Sequence, residues 1–235
     1  MDFKLNSFPP SYRALILGSS GAIGTALKTA LENRPGCQSV MALHRRSHPP
    51  LDFNHEPSIE AAALSVAAQG PFNLIVNAAG FLHDKRFRPE KKLDQLSYDQ
   101  LAATFAVNTF GPALVFRHFS KLLDRDFGMM AHLSAKVGSI EDNHLGGWYS
   151  YRASKAALNM IIKTASIELT RNQRNSVIVA VHPGTVTSNL SRPFKGETLG
   201  REAKTAAQEI LALLERLTPA DSGRFFAYNG DEIEW

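Results

Sequence analysis

Apolar positions in this chain fall into two kinds of segment that alternate from end to end. The first kind is short and almost continuously apolar. Ala14-Leu-Ile-Leu17, Val40-Met-Ala-Leu43, Phe72-Asn-Leu-Ile-Val76, Met129 to Leu133 and Val177-Ile-Val-Ala-Val181 are of this kind, and Gly223 to Tyr228 closes the series. Such runs predict strands buried on both faces, as in a parallel sheet covered on each side. The second kind has helical spacing. Ile23, Leu27, Ala30 and Leu31 mark a helix over 22–33. Ala61 to Ala68 lies in a helix begun near Pro57, with Ser58 or Asn54 as its cap. Leu96 to Phe119 is a long helical region bent near Gly111-Pro112. Tyr151 to Thr170 and Ala203 to Leu217 are the last two helices. The alternation predicts an α/β fold: one doubly wound parallel β-sheet with helices on both faces and right-handed crossovers.

Composition narrows this picture without changing it. The chain has 235 residues, 44% of them hydrophobic and 20% charged, which suits one domain over 1–235 with a large core. The formal charge is +4, and its basic residues are scattered rather than clustered, so no nucleic-acid partner is expected. Cys37 stands alone, so no disulfide forms within the chain; a reducing, cytoplasmic setting is expected. Met1 to Pro10 holds no apolar run of signal-peptide length, and no run of about 18 apolar residues predicts a membrane span. No metal site is expected.

The candidate chemistry begins after the first strand. Gly18-Ser-Ser-Gly21-Ala-Ile-Gly24 is a glycine-rich turn between strand and helix. Glycine accepts backbone angles that other residues resist, and a helix start offers free N–H groups and a positive dipole end. In this context the turn predicts a dinucleotide-binding Rossmann fold. The second strand ends in His44-Arg45-Arg46-Ser47, with no acid until Asp52. Arginine accommodates the extra phosphate of NADP where an acid would hold the ribose of NAD, so Arg45, with Arg46 beside it, favours NADP over NAD. The richest stretch is Trp148-Tyr-Ser-Tyr151-Arg-Ala-Ser-Lys155. Tyr151 and Lys155, four apart, share a helix face. Moving a phenol from about 10 to about 7 takes roughly 4 kcal/mol. A charge about 4 Å away supplies about that much at an effective dielectric near 20. The pair therefore predicts proton exchange with a carbonyl or alcohol oxygen.

Taken in order, these parts resemble the short-chain dehydrogenase/reductase family over about residues 12 to 230. The glycine turn is followed by Asn77-Ala-Ala-Gly80 after what the family's order makes the fourth strand. Then come Asn108 within Val-Asn-Thr, a serine after the fifth strand, Tyr151 with Lys155, and Pro183-Gly184 after the sixth. Leu145 to Lys155, His182 to Val186 and Ser222 to Ala227 resemble the C-factor-like subgroup more closely. The resemblance implies an NAD(P)-dependent oxidoreductase acting on a small carbonyl or alcohol. Its alternative is a nucleotide-binding signalling protein with little catalysis. Gly18, Ser20, Gly21 and Ile23 would line the pyrophosphate and nicotinamide end. Asp52 and Phe53 match the adenine-contacting segment. Asn77, Ala78 and Gly80 would shape the wall beside adenine and ribose. Pro183, Gly184, Val186 and Thr187 would hold the nicotinamide. Tyr151 would be the acid/base, Lys155 would also bond the nicotinamide ribose, and Asn108 would hold a relay water. Family members pair through the helices that would be 97–120 and 151–170, so a homodimer or homotetramer is expected.

One motif departs from the family. Ser-x-x-Gly is usual after the fifth strand, but alignment on Gly138 puts Ala135 at the serine position. Ser134 sits one residue early, where a slip of one reverses side-chain direction unless a bulge re-aims it. Ser134 is the expected catalytic serine, with Ser139 as competitor. The segments 81–92 and 188–201 are expected to form the substrate wall, the first a solvated basic loop, with Phe81, Trp148 and Phe194 as an apolar pocket.

Overall fold

A computed structural model describes residues 8–172, 175–194 and 196–235. The apolar runs become six strands: β1 (Tyr12–Leu17), β2 (Cys37–Leu43), β3 (Leu74–Asn77), β4 (Gly128–Leu133), β5 (Ser176–His182) and β6 (Phe225–Ala227). All pair in parallel, in the order β2-β1-β3-β4-β5-β6. The order reverses direction between β1 and β3, the switch point where doubly wound sheets open a ligand crevice. Asn77-Ala-Ala-Gly80 therefore follows the third strand of this sheet, and β2 is its edge. The segment after β2 forms turns.

The α-helices among the described residues are α1 (Ala22–Glu32), α2 (Glu56–Val66), α3 (Tyr98–Phe105), α4 (Gly111–Phe119), α5 (Tyr149–Asn172), α6 (Gly196–Leu199) and α7 (Ala203–Leu214). Leu27 and Leu31 of α1 join Ile210, Leu211 and Leu214 of α7 in one buried layer against the sheet. Val115 and Phe119 of α4 and Leu158 and Ile162 of α5 fill the layer on the other face. Among the described residues, no helix is long and apolar enough to cross a membrane.

Three local expectations need correction. Neither Asn54 nor Ser58 caps α2: the cap position is His55 and lacks a side-chain bond, while Ser58 Oγ donates to the Pro50 carbonyl. The long helical region is not simply bent at Gly111-Pro112. It is interrupted just before, by a π-helical turn over Ala106–Phe110 that the Gly111 N–H closes on the Ala106 carbonyl. Pro112 has no N–H for the Asn108 carbonyl four residues back, which favours a break there. The helix expected to reach Leu217 ends at Leu214.

Gly18 is fixed by space as well as by angle. Its φ is +82°, and a Cβ there would lie 2.6 Å from the Ala79 nitrogen. Gly18→Ala is expected to destabilise the fold by about 2 kcal/mol or more through strain and overpacking. Gly21, where a Cβ would meet nothing closer than 3.5 Å, tolerates Ala with a smaller loss. Urea denaturation of the two variants checks the difference.

Candidate active site

The crevice at the sheet's switch point is a cavity of about 180 Å³. Its lining includes Gly18, Ser20, Gly21, Arg45, Asp52, Phe53, Ala78 and Gly80. Eight residues expected at a cofactor thus gather around one opening. Gly21 stands at the cap position of α1 with no side-chain cap, leaving the helix's first N–H groups for a ligand. Arg45 lines the cavity and Arg46 does not; the Arg46 N–H is held by His44 Nδ1 at 3.0 Å. Asp52 accepts from the backbone N–H of Asn54 at 3.0 Å. Phe53 is buried against Gly111, where a Cβ would have to overlap the ring.

Other expected residues support this opening from behind or lie beyond it. Asn77 is buried; its Oδ1 accepts from the Ala79 N–H at 3.1 Å and its amide meets His132 Nδ1 at 3.2 Å. It holds the turn rather than the cavity wall. Ile23 packs against the core layer and is not in the lining. Pro183, Gly184, Val186 and Thr187 also lie outside the lining. Their turn is tied by Arg201, whose guanidinium donates to the Pro183 carbonyl at 2.5 Å, stacks on Tyr228 and pairs with Glu209. His44, Leu51, Asn54, Ala79 and Val107 also line the crevice and were not expected there. Leu51, Ala79 and Val107 are apolar and carry no chemical signature, while His44 and Asn54 stand beside the expected Arg45 and Phe53.

Tyr151 and Lys155 do share a face of α5, and Asn108 is brought to them. Lys155 is 3% exposed, and its ammonium donates to the Leu133 carbonyl at 2.9 Å. Burial lowers its pKa to about 8. The ammonium lies 6.0 Å from the centre of the Tyr151 ring. Burial pushes the Tyr151 phenol up to about 12. The expected depression by Lys155 is therefore absent from this arrangement: desolvation outweighs a charge turned toward Leu133. Asn108, fully buried, donates to the Phe81 carbonyl and to Ser154 Oγ and accepts from the Phe81 N–H. A Cβ on Gly80 would lie 3.8 Å from Asn108 Oδ1 and 3.9 Å from Lys155 Nζ, so both groups stand just beyond the floor of the crevice at Gly80.

Neither serine is free. Ser134 Oγ donates to Asn159 Oδ1 at 2.6 Å, in the layer between β4 and α5. Ser139 Oγ accepts from the Asp142 N–H at 3.1 Å. Ala135, buried, occupies the aligned position. Tyr151 instead has aromatic neighbours: Trp148 packs edge-on at 6.1 Å, Phe194 meets Trp148 at 5.1 Å, and His83 meets Phe194 at 5.4 Å. The expected Trp148–Phe194 contact forms, whereas Phe81 lines the crevice.

A family model described as enoyl-(acyl carrier protein) reductase matches residues 24–228. C-signal of Myxococcus xanthus is 34% identical over 167 residues, covering 71% of this chain and 94% of that one. This chain belongs to the short-chain dehydrogenase/reductase family. It is an oxidoreductase by that membership. Another relative is the 1-hydroxy-2-glutathionyl-2-methyl-3-butene dehydrogenase of Rhodococcus sp. (strain AD45), 29% identical over 188 residues, with 80% of this chain and 79% of that one covered. The fold matches the NADPH-bound carbonyl reductase from chicken fatty liver with a TM-score of 0.83 at 23% identity, covering 97% and 96% of the two chains. Carbonyl reductase Sniffer of D. melanogaster gives 0.82 at 22% identity, with 96% and 100% covered.

The buried lysine carries a test of this family member's stability. Its folded pKa, about 8, lies below the ordinary 10.5. Between those values the unfolded chain binds more protons, so stability rises with pH; below about 8 the full cost of the buried charge is present. Lys155→Met is expected to raise the unfolding midpoint at about pH 7 and to lose that advantage as pH climbs toward about 10.5. Thermal melts of both proteins across this range check it.

Proposed function

We propose that this family member is an NADPH-dependent carbonyl reductase, or runs the reverse alcohol oxidation, with Tyr151 as the proton donor. The observation that carries the reading is the joint placement of Arg45 in the crevice lining and of Lys155 and Asn108 against its floor at Gly80. The uncapped start of α1 and the Cβ-free Gly18 and Gly21 fit a pyrophosphate, and the Arg45 guanidinium fits a ribose phosphate. The NADPH-bound carbonyl reductase of the same fold supports the choice of cofactor.

When bound, the nicotinamide supplies a hydride to the carbonyl carbon. The carbonyl π pair moves to oxygen, and the Tyr151 hydroxyl gives its proton to that oxygen, leaving phenolate. Lys155 is the nearby cation, and to stabilise the phenolate its ammonium must turn from the Leu133 carbonyl toward the phenol, while Asn108 holds Phe81 and Ser154. With its hydroxyl committed to Asn159, Ser134 supplies no second donor to the substrate oxygen. Trp148 and Phe194 form the wall over Tyr151. Phe110, Met160 and Ile167 stay exposed on the two helical regions expected to pair, which supports a dimer.

The test is consumption of NADPH with a panel of aldehydes, ketones and quinones. Wild type is expected to turn over at least one, and Tyr151→Phe to lose about 10²-fold or more in kcat. Retained activity in Tyr151→Phe rejects the acid assignment. Ala135→Ser places a hydroxyl at the family position and is expected to raise kcat by about tenfold or more, since one such donor is worth roughly 10²–10³-fold. The C-signal relative and the committed Ser134 favour one second reading, a nucleotide-binding signalling protein. It predicts NADPH binding without consumption.

A further inference from the structure

Glu90 is a carboxylate 1% exposed, in the segment expected to be a solvated basic loop. Burying a carboxylate is costly unless its oxygens are bonded. Here they are: the Ser150 N–H donates to one at 3.2 Å, and the Ser150 hydroxyl donates to the other. Ser150 is the second residue of α5, so the carboxylate also faces the positive end of a 24-residue helix. The backbone of Glu90 does a second job. Its carbonyl accepts from the Trp148 N–H at 2.5 Å. Trp148 has φ +53°, a left-handed conformation that a bulky residue adopts only where its surroundings enforce it. The Trp148 carbonyl in turn accepts the first helical bond, from the Arg152 N–H at 2.8 Å. The other end of the same segment is held too, because Asn108 bonds both backbone groups of Phe81. Residues 81–90 are thus a strap from the π-helical turn to the first turn of α5, and Tyr151 is the residue after Ser150.

We infer that Glu90 is a positioning residue. Through Ser150 and Trp148 it fixes where the Tyr151 phenol and its Trp148 wall stand relative to Asn108. The inference rests on Tyr151 being the proton donor, as proposed above. Glu90 lies outside the crevice lining, so the cofactor site itself does not depend on it.

The experiment uses the full chain in a Trp235→Phe background, which leaves Trp148 as its one tryptophan. Glu90→Gln keeps the shape but removes the negative charge at the start of α5, and the Ser150 hydroxyl, which donates to the carboxylate, must turn to accept from the amide. Trp148 emission is expected to move to longer wavelength while the NADPH Kd stays within about twofold. The kcat is expected to fall by about tenfold or more, since small misplacements of a reacting group cost up to 10²-fold, and the carbonyl KM to change less. A kcat within about threefold of the parent overturns the inference whatever the emission does. If Glu90→Gln does not fold, Ser150→Ala, which removes a single donor, is expected to shift the emission the same way with a smaller loss of kcat; no change in either overturns it. If the parent binds NADPH yet consumes it with none of the carbonyls, the reading of Tyr151 fails on its own. The emission of Glu90→Gln then decides the role of Glu90, an unchanged spectrum overturning it.

Discussion

Lys155 holds a cation at 3% exposure with the Leu133 carbonyl, at 2.9 Å, as its hydrogen-bond acceptor among the described residues, and the neighbouring backbone is arranged around that cost. For the ammonium to reach the end of β4, α5 must lie almost on top of the following turn. Gly138 makes that approach possible: a Cβ there would sit 2.7 Å from the Lys155 Cβ and 2.9 Å from its carbonyl carbon. The same closeness sets Lys155 beside Gly80 and Asn108, at the floor of the crevice. One packing distance, between α5 and the β4 turn, therefore decides whether the crevice and the ammonium meet.

The π-helical turn serves the same end from the other side. Widening α3 into that turn places Asn108 fully buried, where its amide meets protein polar groups rather than water. It satisfies Phe81 twice and Ser154 once, and Thr109 adds a bond to the Ser154 carbonyl at 2.9 Å. Those bonds tie the strap, the turn and α5 into one unit. A shift of α5 along its axis would break several buried bonds together, each costly to leave unmade. Rigidity at this point is what a proton donor needs, because proton transfer is sensitive to small changes in geometry.

The central strands were legible because both faces are buried, so hydrophobicity alone marks them; Val177 to Val181 is apolar at every position and every one is buried, whereas in the edge strand β2 only Leu43 is buried. The crevice was legible in its glycines and in Arg45, whose chemistry is written in residue type. What escaped reading depends on three-dimensional balance. Leu51, Ala79 and Val107 line the crevice with no chemical signature of their own. The cap of α2 was misread because Ser58 found the Pro50 carbonyl instead. Glu90 looked like one more charge in a basic loop, since burial of a single acid leaves no periodic trace. The Tyr151 phenol was expected low from a Coulomb sum with Lys155, yet desolvation pushes it up to about 12. The sum assumed about 4 Å between charges, while the ammonium stands 6.0 Å from the ring centre and bonds a carbonyl. A sequence supplies the charge pair; only packing supplies the dielectric and the direction.

The fate of Ser134 follows from the same logic. A side chain at Ser134 shares a strand face with His132 and Met130, and Met130 belongs to the core layer against α5. Its hydroxyl therefore enters a layer where a lone polar group is expensive, and Asn159, two turns after Tyr151 on α5, answers it at 2.6 Å. Moving the hydroxyl one residue on, to Ala135, would reverse its direction toward the mouth of the sheet but leave Asn159 without that donor. Asn159 Nδ2 is already a buried donor without a partner, so the layer has little polar satisfaction to spare. Ser134 and Asn159 thus form a buried polar pair that strengthens the β4–α5 contact on which Lys155 depends. The hydroxyl that holds this helix in place is, for that reason, committed to Asn159.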